Sequence, residues 1–169
     1  WRPDNGYVDG ALMLDGIDDY VSTDFILNPA EGSFSVLVWV KGGIPGNIII
    51  SQLDRAVGRT VFLGSIWLGT NPLDGSLITG LMGSTFGDLE SETVITDDIW
   101  HHVGLVYDID NLHRQLYVDG ILVAEDVKLV SGVSSDGNMH IGADKNLTAD
   151  AFFKGMIDDV RIYNVALTA

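Results

Sequence analysis

Phe153-Lys-Gly-Met-Ile-Asp-Asp-Val-Arg-Ile-Tyr-Asn164 is the stretch that decides the fold. It alternates apolar and polar residues at period two and opens with a glycine and a carboxylate pair, the pattern of a single β-strand. A second stretch near the other end, Leu12-Met-Leu-Asp-Gly-Ile-Asp-Asp-Tyr-Val21, repeats the combination of Gly and Asp-Asp beside alternating apolar residues. If the two strands lie side by side, the fold closes end to end. Their acidic corners are then expected to meet and form a cation site.

Period-two runs bounded by Gly, Asp, Asn and Pro recur through the chain, and helical periodicity is almost absent. Ser33–Val40 puts Phe34, Val36, Val38 and Val40 on one face, and Ser33, Ser35, Leu37 and Trp39 on the other. Ile48–Ser51, Thr60–Leu68 (interrupted by Gly64), Ser76–Met82, Trp100–Asp108, Arg114–Val118, Ile121–Ala124 and Met139–Gly142 read as further strands. Asp119-Gly120 joins two of them as a two-residue hairpin, since a type I′ turn needs the positive φ that Asp-Gly supplies. Residues 1–10, 84–98 and 131–137 read as loops. Roughly a dozen strands at this spacing make an all-β sandwich.

With 169 residues, 46% of them hydrophobic, the chain builds one core and one domain, residues 1–169. No apolar run reaches the roughly 18–20 residues of a membrane-spanning helix. No signal peptide is visible, and a start at Trp1 is expected of a mature or excised piece of a larger multidomain protein. The lack of cysteine points to a bacterial rather than a secreted animal source. The formal charge of −15 argues against nucleic acid and disfavours anionic membrane surfaces as partners. It permits divalent cations and neutral or basic partners, beside the plain reading of a solvated acidic surface.

Five blocks together resemble a known family: Ala11–Val21, Phe34–Lys41, Trp100-His-His-Val103, Leu116-Tyr-Val-Asp-Gly120, and Gly155–Asn164 with Ala166-Leu167. Their order is similar to that of the laminin G-like domain in the concanavalin A-like lectin/glucanase superfamily, in its bacterial members. The resemblance implies a jelly-roll sandwich of two curved antiparallel sheets. It also implies a recognition or adhesion role outside the cell or on its surface, with glycans bound on the concave sheet or its rim and calcium bound in many members.

Asp15, the Gly16 carbonyl, Asp18 and Asp158 are the expected ligands of a structural Ca2+, a hard cation that takes six to eight oxygens. Relatives often hold calcium near this strand pair. Strict alternation puts Asp158 with Val160 and Ile162, and Asp159 with Arg161 and Tyr163. The competing reading has these aspartates capping turns and pairing with Arg161. His101 and His102 are adjacent, so on a strand they face opposite sides and cannot chelate one metal together. One imidazole is expected to make structural hydrogen bonds.

For ligand binding, Trp67 is the ring expected to be exposed, beside Asn71, with His113 and Arg114 as a polar rim near the turn at Asp108–Asn111. Tyr107 and Tyr117 are further aromatic candidates, whereas Trp39 and Trp100 are expected in the core. Asn146-Leu-Thr148 fits a glycosylation acceptor but is not expected to serve as one. Laminarinase-type relatives carry Glu-x-Asp-x-x-Glu on one concave strand, because retention needs two carboxylates about 5 Å apart. Here Glu90-Ser-Glu92 lacks the middle acid, and no Gly-x-Ser-x-Gly elbow exists. The expected function is therefore non-catalytic binding of a glycan or an extracellular protein. The rivals are a divergent polysaccharide hydrolase or lyase, and a spacer with no ligand.

Overall fold

The computed structural model describes residues 1–53, 66–81, 88–127 and 137–168. These form two antiparallel six-stranded sheets. The first sheet runs β1 (Leu12–Asp15), β12 (Lys154–Tyr163), β3 (Phe34–Gly42), β8 (Trp100–Asp108), β9 (His113–Val118) and β10 (Ile121–Val127). The second runs β2 (Val21–Ser22), β11 (Met139–Ile141), β4 (Ile48–Gln52), β5 (Ile66–Thr70), β6 (Ser76–Thr79) and β7 (Leu89–Val94). Neighbours distant in sequence, such as β12 between β1 and β3, give the crossed connectivity of a jelly roll. Among the described residues there is no helix.

Alternation builds the core. On β3, Phe34, Val36, Val38 and Val40 are all fully buried, while Leu37 and Trp39 face the other way and remain half-buried. From the opposite sheet Trp67, Leu68, Leu77 and Met139 close on them, with Phe34 and Trp67 in ring contact at 4.6 Å. Each such side chain contributes roughly 1.5–3 kcal/mol on full burial. The Asp119-Gly120 hairpin forms as expected, with φ of 52° and 79° at its two central residues.

Two expectations about elements change. Residues 89–94, expected in a loop, form β7. Leu89 and Ser91 are buried and alternate with exposed Glu90 and Glu92, so the acids disguise a half-buried strand. The strand expected over Thr60–Leu68 is described only from Ile66, and its first six residues, with Gly64, lie outside the described residues, as do Met82 and most of the 131–137 turn.

Candidate functional site

The two terminal strands are neighbours, but their acidic corners do not meet. β1 pairs β12 antiparallel, with Leu12 opposite Ile157 and Asp15 opposite Lys154. That register carries Asp158 past Leu12, level with Ala11, so roughly 13 Å of strand separate it from Asp15 at about 3.3 Å per residue. Asp158 therefore leaves the expected ligand set. Its Oδ2 accepts the Val8 N–H at 2.8 Å and its Oδ1 accepts the Asp159 N–H at 2.7 Å. A bulge also breaks the expected alternation. Asp158 pairs Trp39 and Arg161 pairs Leu37, so three residues of β12 answer two of β3, with Asp159 at φ 47°. Asp158 thus shares its face with Arg161, while Asp159 bonds the Arg161 guanidinium at 2.9 and 2.8 Å.

At the other end of β1, Asp15, Asp18 and Asp19 each offer a carboxylate oxygen within 4.8 Å of the others. Gly16, at φ 80°, makes the turn that gathers them. Asp15 Oδ1 accepts the Ile17 N–H at 2.8 Å, and Asp19 Oδ2 accepts the Asp15 N–H at 3.3 Å. All three residues are exposed.

A cleft of about 290 Å³ opens on the outward face of the second sheet. Ile48 and Ile66 floor it, and Asp144, Lys145, Asn146, Thr148 and Ala151 wall it. Gly69, opposite Ile48, adds no side chain to this floor; a Cβ there would stand 3.2 Å from Ile48 Cδ1. Gly80 leaves a similar gap, where a Cβ would meet both the Ile66 side chain and Asp88 Oδ1 at 3.2 Å. The wall is held by its own hydrogen bonds. Asp144 accepts from Thr148 N at 2.6 Å and from Thr148 Oγ1 at 2.8 Å. Ile48 N donates to Ala151 O at 2.9 Å, and Ser51 Oγ donates to Ala143 O at 2.7 Å, which pins the segment to β4.

Across the floor, Asp88 and Glu90 stand beside Gly80 and Ile78, and Asn71 Nδ2 donates to Glu90 Oε2 at 3.0 Å. Asp88 is exposed as a residue, yet partial dehydration of its carboxyl and the charge of Glu90 push its pKa up, with Arg114 pulling the other way.

The expected ligand residues do not assemble. Trp67 is fully buried and packs in the core, because bulges in the pairing of β4 with β5 turn its ring inward. Arg114 is also fully buried, bonded to Asp126 at 2.8 and 2.6 Å and to Leu81 O at 2.7 Å. It shares strand parity with Leu116 and Val118, so it points into the sandwich and cannot serve as a rim. Asn71 is buried and anchors Glu90, while half-buried His113 pairs Glu125 at 2.9 Å. Tyr107 is core.

The expected core tryptophans are outward instead. Trp39 and Trp100 are half-buried on the outer face of the first sheet, where Tyr7 stacks on Trp39 at 3.4 Å. Next to them lies an apolar groove of about 180 Å³ over Gly104, between Leu37 and Tyr117. His102 edges it, and burial lowers its pKa despite the opposing pull of Asp119 and Asp159.

His101 plays the structural part expected of one imidazole. Its Nδ1 meets Asp119 at 2.8 Å and its Nε2 meets Asp97 at 3.0 Å. Burial lowers its pKa, but the bonds to the two carboxylates outweigh burial, and the net shift is upward. The cleft wall escaped the reading of the sequence, although its signal was present. Asn146 and Thr148 drew notice only as a glycosylation motif, while Asp144 and Thr148, four residues apart, suit a side-chain-capped turn.

No curated protein matches the chain. Several solved structures share its fold. Domain 4 of AbnA, a GH43 extracellular arabinanase from Geobacillus stearothermophilus solved with arabinotriose, is 21% identical at a TM-score of 0.65, with 99% of this chain and 81% of that one covered. The CBM40 of the Ruminococcus gnavus IT-sialidase, bound to α2,3-sialyllactose, is 17% identical at 0.58, with coverages of 94% and 93%. A heptameric SAP-like pentraxin from Limulus polyphemus is 18% identical at 0.60, with coverages of 87% and 71%. At these identities the likeness is one of fold. A family model also matches residues 15–169, almost the whole sandwich, and by that match the chain belongs to the concanavalin A-like lectin/glucanases superfamily.

Proposed function

We propose that the chain is a non-catalytic carbohydrate-recognition module of a larger extracellular or cell-surface protein, and that the cleft on the second sheet is its glycan site. One observation carries this reading. The cleft joins an apolar floor of Ile48 and Ile66 to a pre-formed polar wall of Asp144, Lys145, Asn146 and Thr148. A sugar ring needs both, an apolar surface for its C–H face and fixed polar groups for its hydroxyls. Like-folded structures solved with arabinotriose and sialyllactose support the reading. The test is a glycan array followed by calorimetry on the best ligand. Asn146→Ala is expected to weaken binding by about tenfold, the loss of one well-placed hydrogen bond. Silence across the array, or full affinity in that variant, overturns the assignment.

A structural Ca2+ belongs to the same proposal, held by Asp15, Asp18 and Asp19. Three carboxylates within 4.8 Å of one another suit a hard cation. The ion would brace the turn after β1 and take no part in chemistry.

A second reading, a polysaccharide-cleaving enzyme, is favoured by Asp88, whose carboxyl is pushed up beside Glu90 on the same strand face. Release of reducing ends from β-glucan or arabinan, lost in Asp88→Asn, would establish it.

A further inference from the structure

The wall of the cleft is balanced in charge, since Asp144 and Lys145 stand together on it. The far side of the floor is not. Outside the cleft lining, Ile66 adjoins the bare Gly80, where a Cβ would stand 3.2 Å from both the Ile66 side chain and Asp88 Oδ1, and the charge of Glu90 acts on Asp88. Glu90 is further fixed by Asn71, so it is a positioned acceptor rather than a free surface acid. The chain as a whole carries a formal charge of −15.

Carboxylates are acceptors only, and sugar hydroxyls are donors, so the two are complementary. A glycan that brings its own carboxylate sets acceptor against acceptor and charge against like charge. We infer that the cleft selects uncharged oligosaccharides, with hydroxyls donated to Asp88 and Glu90, over sialylated or uronic ones. This rests on the carbohydrate reading above. It separates the chain from a module of the same fold that was solved with α2,3-sialyllactose. Unit charges about 10 Å apart at an effective dielectric of about 20 repel enough to cost about tenfold in affinity. Selection of this kind works through repulsion of the wrong ligand as much as attraction of the right one.

The experiment uses matched probes on one array, lactose against α2,3-sialyllactose and neutral oligosaccharides against their uronic counterparts, with calorimetry on each pair that gives signal. The neutral member is expected to bind about tenfold tighter. The ratio should shrink as NaCl rises from about 0.05 to about 0.5 M, because the repulsion is screened. It should also shrink in Asp88→Asn and in Glu90→Gln. Acidic members binding as tightly as neutral ones, or a ratio unmoved by salt, overturns the selectivity and leaves the glycan site standing. The salt series needs no variant, so misfolding of either mutant does not protect the idea. If neither member of any pair binds, the carbohydrate reading falls and takes the selectivity with it.

Discussion

Removing Asp126 should cost the fold more than removing the arginine it holds. Arg114 on β9 and Asp126 on β10 are direct cross-strand partners. The guanidinium is fully buried and makes three bonds, two to Asp126 at 2.8 and 2.6 Å and one to Leu81 O at 2.7 Å. Asp126→Ala deletes two of these and leaves a buried cation with a single neutral acceptor. Stranding one member of a buried pair costs about 3–5 kcal/mol. That is a large part of the roughly 5–15 kcal/mol that holds a domain together. For a chain of this length it corresponds to a drop in melting temperature of about 6–20 °C.

Arg114→Met removes the charge and keeps the volume. It leaves Leu81 O without its partner, at about 1–3 kcal/mol. Asp126, whose side chain is 21% exposed, can rehydrate. The methionine variant should therefore be the milder one. Asp88 adds a second check. Its titration already feels Arg114, so Asp88→Asn combined with Asp126→Ala should lose more than the two singles together. Urea unfolding followed by tryptophan fluorescence gives the midpoints, compared at constant slope. An Asp126→Ala loss below about 1 kcal/mol, or a larger loss in Arg114→Met, refutes the reasoning.

Three further predictions concern the two ends of the sandwich and its core. The raised pKa of His101 means its bonds to Asp119 and Asp97 stabilise fully below the unfolded value near 6.5 and fade as pH climbs through the folded value. Melting curves of the native chain and His101→Gln should therefore be furthest apart at about pH 6 and converge by about pH 9; a constant gap would show that the imidazole acts only as a neutral donor. Trp67→Ala should cost about 3–5 kcal/mol, and Trp39→Ala much less, with glycan affinity kept in Trp39→Ala. Equal losses from the two tryptophans would contradict their opposite facing. Asp18→Asn should abolish any calcium-dependent rise in melting temperature, while Asp158→Asn lowers stability equally in calcium and in EDTA. A calcium response lost in Asp158→Asn would return that residue to the metal site.

How far the sequence could be read depended on the range of the forces involved. Alternation is local, so the strands, the buried face of β3 and the Asp119-Gly120 turn could be read directly. Pairing of the first and last strands was legible too, because both carry the same Gly and Asp-Asp combination beside alternating apolar residues and both fall in blocks that resemble the family. Which face a residue takes was legible only where the ladder is regular. On β9 the parity of Arg114 with Leu116 and Val118 already pointed it inward, but its partner Asp126 lies across a hairpin and gives no pattern of its own. On β12 a bulge inserts a residue and reverses the side chains beyond it, and in the β4–β5 pair two offsetting bulges turn the residues between them. A single such step separates an exposed Trp67 from a buried one, whereas Asp158 is carried away from Asp15 by the register of β1 on β12. The cleft is hardest of all to foresee. Its floor comes from residues 48 and 66 and its wall from residues 144–151, and nothing local in either segment refers to the other. The backbone bonds of Ile48 to Ala151 and of Gly142 to Ile49, with that of Ser51 Oγ to Ala143 O, join them, so Ser51→Ala, at a residue that lines no part of the cleft, should weaken glycan binding by loosening the wall.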